Sequence, residues 1–212
     1  MVDEKILEAI KEARESKKRN FKQSFDLIIN LKNIDLRKAE NKIKFEVNIP
    51  HLSSKKSKIG VIVDSLASKV KDRDDVYVIK KDELENLGKN KKQVKNIAKE
   101  CSYFIAEAPL MPLVGKSLGP VLAPRNLMPR PIPPTANIEP IIDQARKSIR
   151  FHLKDAPVVH LAVGTEDMDD KKIAENVEAV IERTTAGLPK GREQIKNFII
   201  KLTMGKPIKF VL

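Results

Sequence analysis

Among 212 residues there is one cysteine, no tryptophan and an aromatic content of only 4%. A lone Cys101 excludes an internal disulfide and any cage of thiolate metal ligands. His51, His152 and His160 lie too far apart for a recognisable zinc spacing, so no metal is expected. No apolar run reaches 18 residues and no charged-then-apolar leader opens the chain, which predicts a cytoplasmic protein with no membrane partner. Acidic residues are outnumbered, 29 against 41 Lys and Arg, leaving a net charge of +12. That balance favours phosphate polyanions or acidic surfaces over small-molecule chemistry. Residues 53–147 carry 18 basic and 11 acidic side chains, against 12 and 9 before them and 11 and 9 after. Charge alone therefore places a nucleic-acid surface in the middle of the chain.

Catalytic constellations are missing as well. Gly115-Lys116-Ser117 follows a predicted strand as the end of a phosphate loop would, but the required earlier glycine is Leu110, and Pro112 removes an amide. Only Gly60 occurs where a dinucleotide fingerprint would need three glycines. Cys101 reads as a small buried hydrophobe, His160 as a structural strand residue, and Asp74-Asp75 and Asp169-Asp170 as polar turns. Neither enzyme nor cofactor is expected.

Nine of the 13 prolines fall between Pro109 and Pro140, interleaved with Gly115, Lys116, Gly119, Arg125 and Arg130, and no acidic residue occurs before Glu139. Repeated fixing of φ and loss of donors predict that 115–134 is a rigid basic loop rather than helix or central strand.

Apolar spacing predicts an amphipathic helix over 2–18, with Val2, Ile6, Ala9, Ile10 and Ala13 on one face. Alternation predicts strands at Phe25–Leu31 and Ile43–Ile49, each with one buried face. Continuous apolar runs at 59–63, 76–79 and 103–106, separated by helical stretches at 65–71 and 81–99, are what a parallel sheet covered on both faces requires. After residue 148, strands are predicted at 149–153, 157–163 and 194–202, with a helix beginning near Asp169-Asp170. Neither flank closes a sheet alone. The expected fold is a split α+β domain, residues 1–52 and 148–212, with a four-stranded antiparallel sheet and two helices. An α/β three-layer domain with a parallel sheet, residues 53–147, interrupts it.

Two stretches suit RNA. In Thr203-Met204-Gly205 the glycine permits close backbone approach, the threonine offers a hydroxyl, and Met204 reads either as a flexible apolar surface or as a core methionine. Phe21, after Lys17-Lys18-Arg19, either stacks on a base or staples helix to strand. The runs Lys55-Lys56-Ser57-Lys58 and Lys89-Asn90-Lys91-Lys92 read as solvated faces.

Residues 118–129, Leu-Gly-Pro-Val-Leu-Ala-Pro-Arg-Asn-Leu-Met-Pro, together with Thr203-Met204-Gly205, Asp35-Leu36-Arg37-Lys38-Ala39 and Pro50-His51, resemble the archaeal type of the L-one ribosomal protein family. The likeness covers nearly the whole chain. It implies a two-domain protein of the large ribosomal subunit that binds ribosomal RNA directly and forms the mobile stalk beside the tRNA exit site. It further implies that the protein assists release of deacylated tRNA, represses translation by binding its own operon mRNA, and is a monomer outside the ribosome. Carried over, the family's RNA contacts fall on Phe21, Ser24, Asn30, Asn197, Thr203, Met204 and Gly205. The chain departs from the pattern at Lys206, which separates the triplet from Pro207, and at Phe25 and Asp26. The resemblance puts the RNA reader on the split domain, and the charge count puts it in the middle. Specific RNA recognition rests on shape and a few close contacts rather than net charge, so the split domain is preferred. A nucleotide-dependent enzyme acting on RNA and a chromatin protein are the competing readings, opposed by Leu110 and Pro112 and by the absence of a helix-turn-helix pattern.

Overall fold

The computed structural model describes residues 4–17, 19–36, 43–52, 58–64, 75–153 and 156–211. The expectations for Val2, Lys18, Arg37-Lys38-Ala39, Ser53, Lys55-Lys56-Ser57, the helix at 65–71 and Asp74 lie outside them. The elements are, in order, α1 (Glu4–Arg14), β1 (Ser24–Leu31), β2 (Lys44–Asn48), β3 (Lys58–Val63), β4 (Val76–Lys80), α2 (Lys81–Lys89), α3 (Lys91–Glu100) and β5 (Cys101–Glu107). They continue with α4 (Met111–Ser117), α5 (Gly119–Leu122), β6 (Arg130–Ile132), α6 (Ile138–Arg146), β7 (Ser148–His152), β8 (Val158–Thr165), α7 (Asp170–Gly187), β9 (Ile195–Leu202) and β10 (Ile208–Phe210). Backbone contacts divide the chain into two compact units, Met1–Lys55 with Lys147–Leu212, and Lys56–Arg146.

In the first unit an antiparallel sheet runs β10-β9-β1-β8. Strand periodicity sends Phe25, Leu27, Ile29 and Leu31 to one face. There they share a core with Ile6, Ala9, Ile10 and Ala13 of α1 and Ile173, Ala174, Val177 and Val180 of α7. The helical residues recur at the spacing that lines one side of a 3.6-residue turn.

Two expectations for this sheet are corrected. The segments Ile43–Ile49 and Ile149–Leu153 do not enter it; β2 and β7 form a two-stranded ribbon of their own. The reason lies in side chains: Phe45 and Phe151 stack at 4.3 Å, and Arg183 of α7 lies 5.5 Å over the Phe45 ring. Gly187 makes room for that pair, since a Cβ there would stand 2.6 Å from Phe45. The fourth place in the sheet goes to β10, whose three residues are too few to show a period.

The second unit holds a parallel sheet ordered β4-β3-β5-β6. Its central strands are buried on both faces, by α2 to α5 on one side and α6 on the other. The predicted helix over 81–99 is two helices broken at Asn90, whose side chain accepts from Gln93 N and caps α3. The expected basic loop at 115–134 is overturned. It contains part of α4, all of α5 and β6, and Val121, Leu122 and Ile132 are core residues. Pro112 and Pro120 stand in the first turns of their helices, where no donor is required, and Pro131 lies on the edge strand. Position, not proline content, decides.

Gly60 carries a measurable consequence. A Cβ there would lie 2.3 Å from the Phe104 ring, so Gly60→Ala must displace a fully buried aromatic. Overpacking of that kind costs about 1–3 kcal/mol. Both tyrosines, Tyr77 and Tyr103, belong to this unit, and with no tryptophan present their fluorescence reports it alone. An unshifted urea midpoint in Gly60→Ala would contradict the packing of Phe104 against the Gly60 backbone.

Candidate nucleic-acid interface

The start of β1 and the end of β9 meet because the strands are antiparallel partners, Phe25 opposite Leu202. Past that pair Thr203 adds one more rung. Its amide donates to Ser24 O at 3.0 Å, its Oγ1 accepts from Ser24 N at 3.1 Å, and its hydroxyl lies 3.2 Å from Ser24 O. The next amide, Met204 N, donates to Gln23 Oε1 at 3.1 Å, and Gly205 N closes the turn onto Leu202 O at 2.9 Å. Lys201 Nζ donates to Thr203 O at 3.1 Å. A fixed polar frame results, from which Met204 stands 59% exposed; Phe21, two residues before Gln23, is 51% exposed. Two large apolar side chains, Phe21 and Met204, are thus held in water near the same end of the β1–β9 pair. Such groups serve as stacking surfaces for unpaired bases and sugars.

Other segments brace the frame. A Cβ on Gly205 would lie 2.9 Å from Ser16 Oγ and 3.0 Å from Leu202 Cβ, so the glycine is required by packing within the protein. Arg14 donates from Nη1 to Glu166 O at 2.7 Å, from Nη2 to Met168 O at 2.7 Å and from Nε to Asp170 Oδ1 at 2.9 Å, with its guanidinium 5.4 Å over Phe25. The loop so clamped returns to β1: Glu166 N donates to Gln23 O at 2.9 Å. Lys22 donates to Asp167 Oδ2 at 2.6 Å, and that hydrogen bond and charge raise the Lys22 pKa above its ordinary value.

The seven expected residues separate. Phe21, Ser24, Thr203, Met204 and Gly205 lie at one end of the β1–β9 pair. Asn30 and Asn197 face each other six residues further along β1, roughly 20 Å away. Their side chains bond to one another, Asn30 Nδ2 to Asn197 Oδ1 at 2.6 Å, and Asn197 is buried. The Thr203 hydroxyl, expected to be free for RNA, is engaged with Ser24, because it completes the strand ladder. Sequence reasoning missed Arg14 and Ser16, which act across the fold, and Lys201, which bonds the main chain two residues on. It also missed Gln23, for which a signal existed: a glutamine in phase with buried Phe25, Leu27 and Ile29.

The decoys resolve physically. Burial, then Glu100, pushes the Cys101 thiol up to about 11, so it is no nucleophile. Gly115 and Lys116 lie inside α4 and form no phosphate cradle. No group of metal-ligating side chains exists among the described residues. His51 pairs with Glu175 and its amide donates to Asn176 Oδ1, and His160 lies within β8, as its alternation with apolar neighbours implied, on the exposed side of the strand.

Residues 12–206 match the Ribosomal protein L1p/L10e family. Over 212 residues the chain is 48% identical to the large ribosomal subunit protein uL1 of Methanothermobacter thermautotrophicus, covering 99% of this chain and 100% of that one. To the proteins of the same name from Thermococcus kodakarensis and Methanocaldococcus jannaschii it is 47% and 45% identical, covering 97% of this chain and 96% and 94% of theirs.

Proposed function

The chain belongs to the ribosomal protein L1p/L10e family, and we propose that it serves in the large ribosomal subunit by holding ribosomal RNA against the Phe21 and Thr203–Gly205 surface. It is a ribosomal component, not an enzyme. The observation that carries the RNA reading is the strand-end frame, whose hydrogen bonds hold the turn bearing solvent-facing Met204, with exposed Phe21 two residues before Gln23. The first unit is then the RNA-binding domain, and the second, inserted in it, adds non-specific attraction or touches a further RNA such as tRNA leaving the ribosome. On this reading the protein forms the mobile stalk and assists release of deacylated tRNA, as the family resemblance implies. The same surface would repress translation by accepting a similarly folded element in the protein's own operon mRNA, with the free protein a monomer.

A hydroxyl-radical footprint on large-subunit ribosomal RNA, with duplex DNA as competitor, tests the reading. A discrete protected RNA element that DNA does not displace is expected; protection lost to DNA at equal phosphate would refute it. Purified protein is expected to bind neither ATP nor GTP in equilibrium dialysis, because the amides of 115–117 belong to a helix. Stoichiometric micromolar binding would revive the enzyme reading.

A further inference from the structure

We infer that Gln23, in the face assigned to RNA, is a positioning residue that sets where Met204 stands. It is 1% exposed, yet it is polar and lies between two loops. Its Oε1 accepts the Met204 amide at 3.1 Å, which fixes the orientation of the side-chain amide. Its main chain is tied on the other side to Glu166, accepting from that amide at 2.9 Å and donating to Glu166 Oε2 at 3.4 Å. The exposed turn is thus hung from a side chain that the Arg14-clamped loop holds still.

The second observation is an imbalance. Gln23 Nε2 is buried and has no hydrogen-bond partner. A side chain selected for stability alone would not keep an unpaired buried donor, since leaving one unsatisfied is unfavourable and an apolar group of the same shape avoids it. The other half of the amide accounts for its presence: Oε1 is the acceptor that Met204 N uses among the described residues. A carboxylate at this position would add a second negative charge to that of Glu166, whose Oε2 lies 3.4 Å from Gln23 N, beneath the face assigned to RNA.

The inference rests on the RNA reading, and the test separates the two. Full-length wild type, Gln23→Met, Gln23→Glu and Gly205→Val are titrated against a transcribed fragment of large-subunit ribosomal RNA, with amide resonances of Met204 and Gly205 recorded. Gln23→Met keeps the shape and removes the acceptor. It is expected to weaken binding about threefold to tenfold with the salt slope unchanged, and to move both resonances. Gln23→Glu introduces a pH profile. Burial raises the pKa of the new carboxyl; neutral, it offers Met204 N an acceptor and an O–H where Nε2 stood, and ionised, it repels phosphate. Its affinity should approach wild type in acid and fall relative to wild type as pH rises. Wild-type affinity and an unmoved Met204 resonance in Gln23→Met, beside a weakened Gly205→Val, would overturn the role of Gln23 alone. Normal binding by Gly205→Val would remove the RNA surface and the inference with it. Should Gln23→Met not fold, the pH profile decides: a Gln23→Glu curve parallel to wild type overturns the assignment.

Discussion

Gly205→Val is expected to weaken binding to the ribosomal RNA fragment by about tenfold to a hundredfold, equivalent to about 1–3 kcal/mol, with no change in salt slope. The new Cβ would meet Ser16 Oγ at 2.9 Å, Leu202 Cβ at 3.0 Å and Leu202 N at 3.3 Å. Ser16 can rotate away, but Leu202 belongs to β9 and is 1% exposed, so the turn itself must move. Moving it draws Met204 N off Gln23 and Thr203 off Ser24, and the β-branch adds bulk on the face proposed for RNA. No phosphate is neutralised by Gly205, so the electrostatic part of affinity stays. Thr203→Ala should cost less, a few-fold, because the main-chain bond from Thr203 N to Ser24 O survives and the freed Ser24 amide can reach water. The order of the two effects is the test. A Thr203→Ala loss exceeding that of Gly205→Val would mean that the hydroxyl meets RNA directly and that the strand-end frame is not what matters.

Where local patterns decide structure, the sequence was readable. The alternation of Phe25, Leu27 and Ile29 and the unbroken run from Ile59 to Val63 lead directly to one half-buried and one fully buried strand. Misreadings arise where position overrides residue type. Pro112 and Pro120 suggest loops until it is known that each opens a helix, and Asn90 splits a continuous apolar period by capping. The site follows the same division. Phe21 and Thr203–Gly205 were found as motifs, but the partner of the Thr203 hydroxyl lies 179 residues away and depends on strand register, which no local pattern reveals. Gln23 was missed although its polar side chain sits in a buried phase, because its meaning depends on the turn that docks on it.

Excising residues 56–146 and joining the flanks by a short Gly/Ser linker is expected to leave a folded protein that still discriminates its RNA, with a shallower dependence on salt. Folding should survive because, among the described residues, the first unit's core draws on none of those removed. Its two cut ends are also neighbours: Asn48 pairs with Ser148, and Ile49 N donates to Lys147 O at 2.8 Å. Discrimination should survive because Phe21, Gln23, Ser24 and Thr203–Gly205 all remain with their mutual hydrogen bonds. The salt dependence should fall because the excised part carries 16 basic against 11 acidic side chains, with Lys91, Lys92, Lys95 and Lys99 exposed along α3. Each phosphate that is no longer neutralised lowers the slope of log affinity against log salt by about 0.7 to 0.9. Filter binding across a potassium chloride series, with the cognate fragment and an unrelated hairpin of equal length, measures both quantities on one protein. If circular dichroism shows the shortened chain folded while cognate and unrelated RNA bind alike, and full-length Gly205→Val binds normally, then the basic middle of the chain is the reader. In that case the charge count, rather than the strand-end frame, located the interface.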